Sequence, residues 1–117
     1  MRTETRKVAG FAEPLTFYIG TSAATNHAVL DAAKPADYWF HADTTSSAHV
    51  VAVVPDRTPR KQLKYIVKQG ALLCKQSTTK LAKEPNTPIM FIRAAHVQKT
   101  DVPGEVRIMS ETSIISV

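Results

Sequence analysis

The run HVVAVV, residues 49–54, narrows the possible folds more than any other stretch of this chain. It has no polar alternation, which is the pattern of a strand covered on both faces, and Pro55 closes it. Just upstream, DYWFHAD (37–43) does alternate. As a strand it puts Tyr38, Phe40 and Ala42 on one face and Trp39, His41 and Asp43 on the other. The connecting residues, DTTSS, are turn formers. A chain with this centre folds around a sheet.

The flanking segments supply further strands and two helices. LTFYIG (15–20) is β-branched and aromatic and ends in a glycine that can turn the chain. A short helix follows, capped by Thr25 or Asn26, carrying Ala28, Val29, Leu30 and Ala32, and barred by Pro35 from passing Lys34. DRTPRKQLKYIVKQGALLCKQS reads as a long helix, with Thr58 as N-cap and Pro59 in the first helical position. Leu63, Ile66, Val67, Gly70, Leu73 and Cys74 share its apolar face. Gly70 costs about 1 kcal/mol against alanine there, so a close approach to another backbone is expected. A polar loop, the strand IMFIR (89–93), a turn at Pro103-Gly104 and two short strands around Ser110 and Glu111 complete the chain. The prediction is one α+β domain: a mixed sheet of about five to six strands packed with one short and one long helix. Residues 1–14 are an N-terminal extension or first strand, partly flexible, and residues 15–117 are the domain.

A chain of 117 residues most simply buries one core. Cys74 is the only cysteine, which excludes an intrachain disulfide, and no window approaches the roughly 18 apolar residues of a membrane span. No signal peptide is evident, so a cytoplasmic location is expected. Fifteen Lys and Arg against ten Asp and Glu give a net charge of +5, which favours polyanionic partners. Lys61, Lys64, Lys68 and Lys75 fall within a roughly 60° arc of the helix, and Arg57 extends the row if the first turn reaches it. No acidic residue lies between Arg57 and Ser77 to neutralise them. One-turn spacing is about 5 Å, close enough to meet successive phosphates. A plainly solvated helix face is the alternative.

His27, His41, His49 and His96 with Asp37 and Asp43 could supply metal ligands, but no zinc-type spacing is present. Ser46, Ser47, His49 and Asp43 contain the residue types of a catalytic triad without the strand–turn that positions a nucleophile. A hydrolase using His41 and His49 as acid and base rests on composition alone. A recognition surface fits better. Trp39 offers a face for a base, His41 and His49 can stack or donate to phosphate, and Ser46 and Ser47 can bond phosphate oxygens. A structural role for both histidines, and a core position for Trp39, stand beside that reading.

The segment from Gly20 through Asn26, then Asp37, Trp39 and His41, then Ser46, Ser47, His49 and Val50, resembles the NFACT-R family. The resemblance covers residues 15–110 and extends to the basic helix, the strand IMFIR and the Pro103-Gly104 turn with Val106. It implies a non-catalytic module without cofactor or metal that binds RNA. Its multidomain members serve ribosome-associated quality control, engaging tRNA and the large ribosomal subunit, while stand-alone relatives are associated with DNA. Ser46-Ser47 stands where many members have Gly-Ser. On this reading the nucleic-acid contacts are Lys61, Lys64, Lys68, Lys75, Arg57, Trp39, His41, Ser46, Ser47 and His49, with Arg93 and Lys99 widening the patch.

Overall fold

Every residue of the strand His49–Ala52 is buried, and the other elements are arranged to cover it. The computed structural model describes residues 1–117. In chain order the elements are β1 (Arg2–Arg6), β2 (Leu15–Gly20), α1 (Ala23–Ala32), β3 (Tyr38–Ala42), β4 (His49–Ala52), α2 (Leu63–Gln76), β5 (Pro88–Arg93), β6 (Val97–Lys99), β7 (Val106–Ile108) and β8 (Ser113–Ser116). Six strands form one sheet in the order β1-β2-β4-β3-β5-β8, and β6 and β7 form a separate hairpin. Each neighbouring pair runs antiparallel, and the α+β domain with a sheet of six strands, one short helix and one long helix is the architecture expected from sequence.

The pleat sorts side chains into two cores. Phe40 and Ala42 of β3, Val50 and Ala52 of β4, Phe17 and Ile19 of β2 and Ile89 of β5 meet Ile66, Val67, Ala71, Leu73 and Cys74 of α2. The opposite face carries Trp39, Val51 and Ile92, which pack with Val29 of α1 and Val97 of β6. The sheet is therefore the middle of three layers, with α2 on one side and α1 plus the β6–β7 hairpin on the other. The uniform hydrophobicity of the 49–54 run is the sequence record of that position.

Asp37 fastens the centre. It is 1% exposed, and its carboxylate accepts the amides of Val54 at 2.9 Å and Lys34 at 2.8 Å. Its own carbonyl accepts the Ala94 amide at 2.7 Å. One residue thereby joins the end of α1, the exit of β4 and the exit of β5.

Both helix starts differ from the sequence reading. Ser22 caps α1: its hydroxyl accepts the Thr25 amide at 3.2 Å while the Thr25 hydroxyl accepts the Ser22 amide at 2.9 Å. At the other helix, the Thr58 hydroxyl donates back to the Pro55 carbonyl at 2.6 Å and caps nothing. Arg57 turns the chain at φ +62°, Arg60–Gln62 form a 3-10 turn, and α2 begins at Leu63. Arg57 is thus off the helix, and Lys61 lies on a turn of tighter pitch.

Gly70 approaches a ring rather than a backbone. A Cβ there would lie 2.3 Å from the Phe40 ring, which is fully buried. Gly70→Ala is expected to destabilise the fold by about 1–3 kcal/mol in urea unfolding, outweighing the roughly 1 kcal/mol gain in helix propensity. Pairing it with Phe40→Leu is expected to recover part of the loss.

Candidate nucleic-acid interface

The free face of α2 carries Lys64 and Lys68, both exposed, with Lys61 exposed just before them. The chain has two internal ion pairs, Arg6–Glu4 at 3.1 Å and Lys99–Asp31 at 2.5 Å. No carboxylate lies within 4.0 Å of Lys61, Lys64 or Lys68. Lys64 instead leans over the Tyr65 ring, 5.1 Å from its centre. Lys75 departs from the row: it is half-buried and its Nζ donates to the Val117 carbonyl at 2.9 Å. The loss of one member has a simple cause, since β8 ends beside the last turn of α2 and offers a backbone acceptor.

The rest of the anticipated surface divides. Trp39 is 1% exposed and its ring is enclosed, so it presents no face for a base to lie on. Its face is covered by His41, whose ring is nearly parallel at 8° with centroids 5.7 Å apart. His49 stands on edge to both, 5.4 Å from Trp39 and 4.8 Å from His41. Because Trp39, His41 and His49 point to the α1 side of the sheet, they do not flank the α2 lysines. The strand alternation that paired these residues in sequence also separates them from the basic face.

Arg93 and Lys99 are committed internally. The Arg93 guanidinium donates to the Ala36 carbonyl and lies 4.1 Å from the centre of the Tyr38 ring, while Lys99 joins the β6–β7 hairpin to α1 through Asp31. Arg57 remains exposed.

Ser46 and Ser47 border an open cleft of about 540 Å³ at one end of the sheet. Three segments meet there: Thr21 and Ser22 at the start of α1, the 46–48 turn, and Ser77 to Lys80 after α2. Ser47 is structural, accepting the Ala42 amide and donating to the Ala48 carbonyl, both at 2.9 Å. The Thr78 hydroxyl accepts the Ala48 amide and donates to the Cys74 carbonyl, also at 2.9 Å. Ser46 accepts from Lys80 Nζ at 2.9 Å, and Ser77 accepts from Arg2 at 2.9 Å. The cleft thus collects hydroxyls, the Lys80 ammonium and the first turn of α1, whose early amides have no helical acceptor, and Arg2 reaches its edge at Ser77. Sequence reasoning missed Lys80, Ser77, Thr78 and Thr79 because they sat in a stretch read only as polar loop. Gly20 lets the first turns of α1 pack against the end of β2: a Cβ would lie 2.6 Å from the Thr25 carbonyl oxygen.

The two histidines are poorly suited to acid–base work. Burial holds His49 down to about 4, with the neighbouring His41 adding to the effect, and burial lowers His41 as well. Both are neutral near pH 7. No group of three or more His, Cys, Asp or Glu side chains is placed to share a metal ion.

A three-layer α+β domain with an unneutralised cationic helix face and a hydroxyl-lined cleft defines a class of polyanion-binding modules. The family model described as the NFACT protein RNA binding domain matches residues 8–111, and the chain belongs to that family. It is a nucleic-acid-binding module. Among curated proteins it is 30% identical over 88 residues to coiled-coil domain-containing protein 25 of Danio rerio, covering 74% of this chain and 42% of that protein. The chain thus spans about two fifths of that relative. Among solved structures, the C-terminal part of the fibronectin/fibrinogen-binding protein from Streptococcus suis superposes with a TM-score of 0.77 at 20% identity. The match covers all of this chain and 45% of that one, and shows the shared fold.

Because the unfolded chain takes up a histidine proton near 6.5 and folded His49 only near 4, stability is complete above pH 6.5 and falls as the pH drops through that window. Urea unfolding is expected to show a loss of roughly 3 kcal/mol by pH 4 from this group. His49→Gln, while less stable at pH 7, should show a shallower decline over the same window.

Proposed function

We propose that this chain is a non-catalytic module that binds structured RNA, tRNA or ribosomal RNA, in translation or ribosome quality control in the cytoplasm. The large ribosomal subunit is the natural larger partner. The single observation that carries the reading is the exposed row Lys61, Lys64 and Lys68, which no carboxylate of the chain neutralises. Three ammonium groups at one-turn spacing leave repulsion that an external polyphosphate relieves. Lys80 and Arg2 at the cleft lengthen the positive track beyond the end of α2. Family membership supports RNA as the polyanion.

Such binding is dominated by phosphate, so affinity should fall with salt along a log–log slope of roughly −0.7 to −0.9 per phosphate contacted. Filter binding of tRNA, a ribosomal RNA helix and duplex DNA across a salt series measures it. Lys64→Glu combined with Lys68→Glu is expected to weaken tRNA binding and flatten the slope by about two contacts. Unchanged affinity in that variant would remove α2 from the interface, and tighter binding to duplex DNA than to either RNA would make DNA the ligand.

A further inference from the structure

On the α1 side of the sheet the β6–β7 hairpin leaves a recess of about 260 Å³. Trp39, His41 and His49 form its polar side, and Met90, Val106 and Ile108 its apolar walls. It is smaller than the roughly 300–1,000 Å³ of sites for drug-sized ligands, which suits one flat heterocycle. Nothing in the phosphate-binding reading uses it.

The hydrogen bonds fix the tautomers of both imidazoles. His41 Nδ1 lies 2.6 Å from the Ala42 carbonyl oxygen. A carbonyl only accepts, so that nitrogen bears the proton and His41 Nε2 carries a free lone pair. Trp39 Nε1 donates to His49 Nδ1 at 3.4 Å. An indole N–H only donates, so the proton of neutral His49 is on Nε2. That N–H has no partner in the chain, and the only unpartnered side-chain polar atom fully shut off from solvent is Asn26 Oδ1, so His49 Nε2 reaches open space. The pair therefore offers one acceptor and one donor on rings whose centres are 4.8 Å apart. Burial keeps both rings uncharged, which preserves this complementary pair at neutral pH. The same tautomers disfavour a metal, which would need a lone pair on each open nitrogen.

We propose that the recess receives a single unstacked nucleobase of a bound RNA, its edge against His41 and His49 and its ring between the apolar walls. This rests on the RNA-binding reading and deepens it. Each of the four bases carries a donor beside an acceptor on its exposed edge, so the pocket accepts bases without selecting strongly among them. A route for the attached backbone is present. Ser46 and Ser47 of the cleft belong to the turn that leads into His49, and Lys80 is near enough for its charge to bear on His41. Gly104, which also lines the recess, packs against Ala23 at the rim of the cleft, leaving no room for a Cβ within 2.9 Å. A phosphate in the cleft and its base in the recess are thus neighbours around one turn of chain.

The test uses the full chain and an RNA hairpin with one bulged adenosine, alongside the same hairpin with that nucleotide abasic. The abasic RNA is expected to bind roughly tenfold more weakly, as loss of one buried base with its edge hydrogen bonds would require. Val106→Phe, which fills the recess, should erase that difference while leaving the salt slope intact. In case that variant misfolds, NMR of the unaltered protein should show the Trp39 indole N–H and the His41 and His49 ring signals shifting with the bulged RNA and not with the abasic one. Equal affinity for the two hairpins overturns the base pocket and leaves RNA binding standing. Failure to bind either hairpin or tRNA overturns both. AMP binding that moves the same signals without any RNA affinity makes the recess a free-nucleotide site and overturns the assignment to RNA.

Discussion

The organisation of this domain depends on one constraint: strands β3 and β4 are buried on both sides. A strand sends successive side chains in opposite directions, so the motif around Trp39 cannot act as one surface. Phe40 and Ala42 go to α2, while Trp39 and His41 go to α1 and the β6–β7 hairpin. The layer that holds the lysines and the layer that holds the imidazoles are consequently separated by the thickness of the sheet. They communicate around its end, where the 46–48 turn, the start of α1 and the residues after α2 converge.

This arrangement assigns different physical tasks to different faces. The α2 face is exposed, cationic and sensitive to ionic strength, which suits attraction to phosphate without reading its sequence. The recess under the hairpin is lined by half-buried or buried, uncharged side chains, and its hydrogen-bonding directions are fixed by Ala42 and Trp39. Screening by salt barely reaches such groups. Between them, the Lys80–Ser46 contact lies at the surface and is easily exchanged for an anionic ligand.

Much of this was legible in the sequence. The unbroken apolar run foretold β4, and the alternation of 37–43 assigned each side chain of β3 to the correct side. The lysine spacing on α2 was read from periodicity alone, and the Asp–Trp–His and Ser–His–Val segments pointed to the family. Other features depended on tertiary partners that a linear reading does not contain. Ser22 rather than Thr25 became the cap because Thr25 is needed as its reciprocal donor and acceptor. Lys75 left the basic row because Val117 lies beside it, and Trp39 was lost as a platform because His41 covers it. The hydroxyl cleft was invisible because its members come from three segments, each unremarkable alone.

Cys74 lies beneath that cleft, its thiol donating to the Ala48 carbonyl at 3.3 Å and near Ser47 at 3.7 Å. Burial pushes the thiol up to about 11, so at pH 7 only about one molecule in ten thousand carries a thiolate there. The sulfur therefore serves as a small packing group beneath the 47–48 turn and is a sluggish nucleophile. A domain built this way keeps its cleft-lining turn in place through electrophile or peroxide exposure that would disable a protein relying on an accessible thiol.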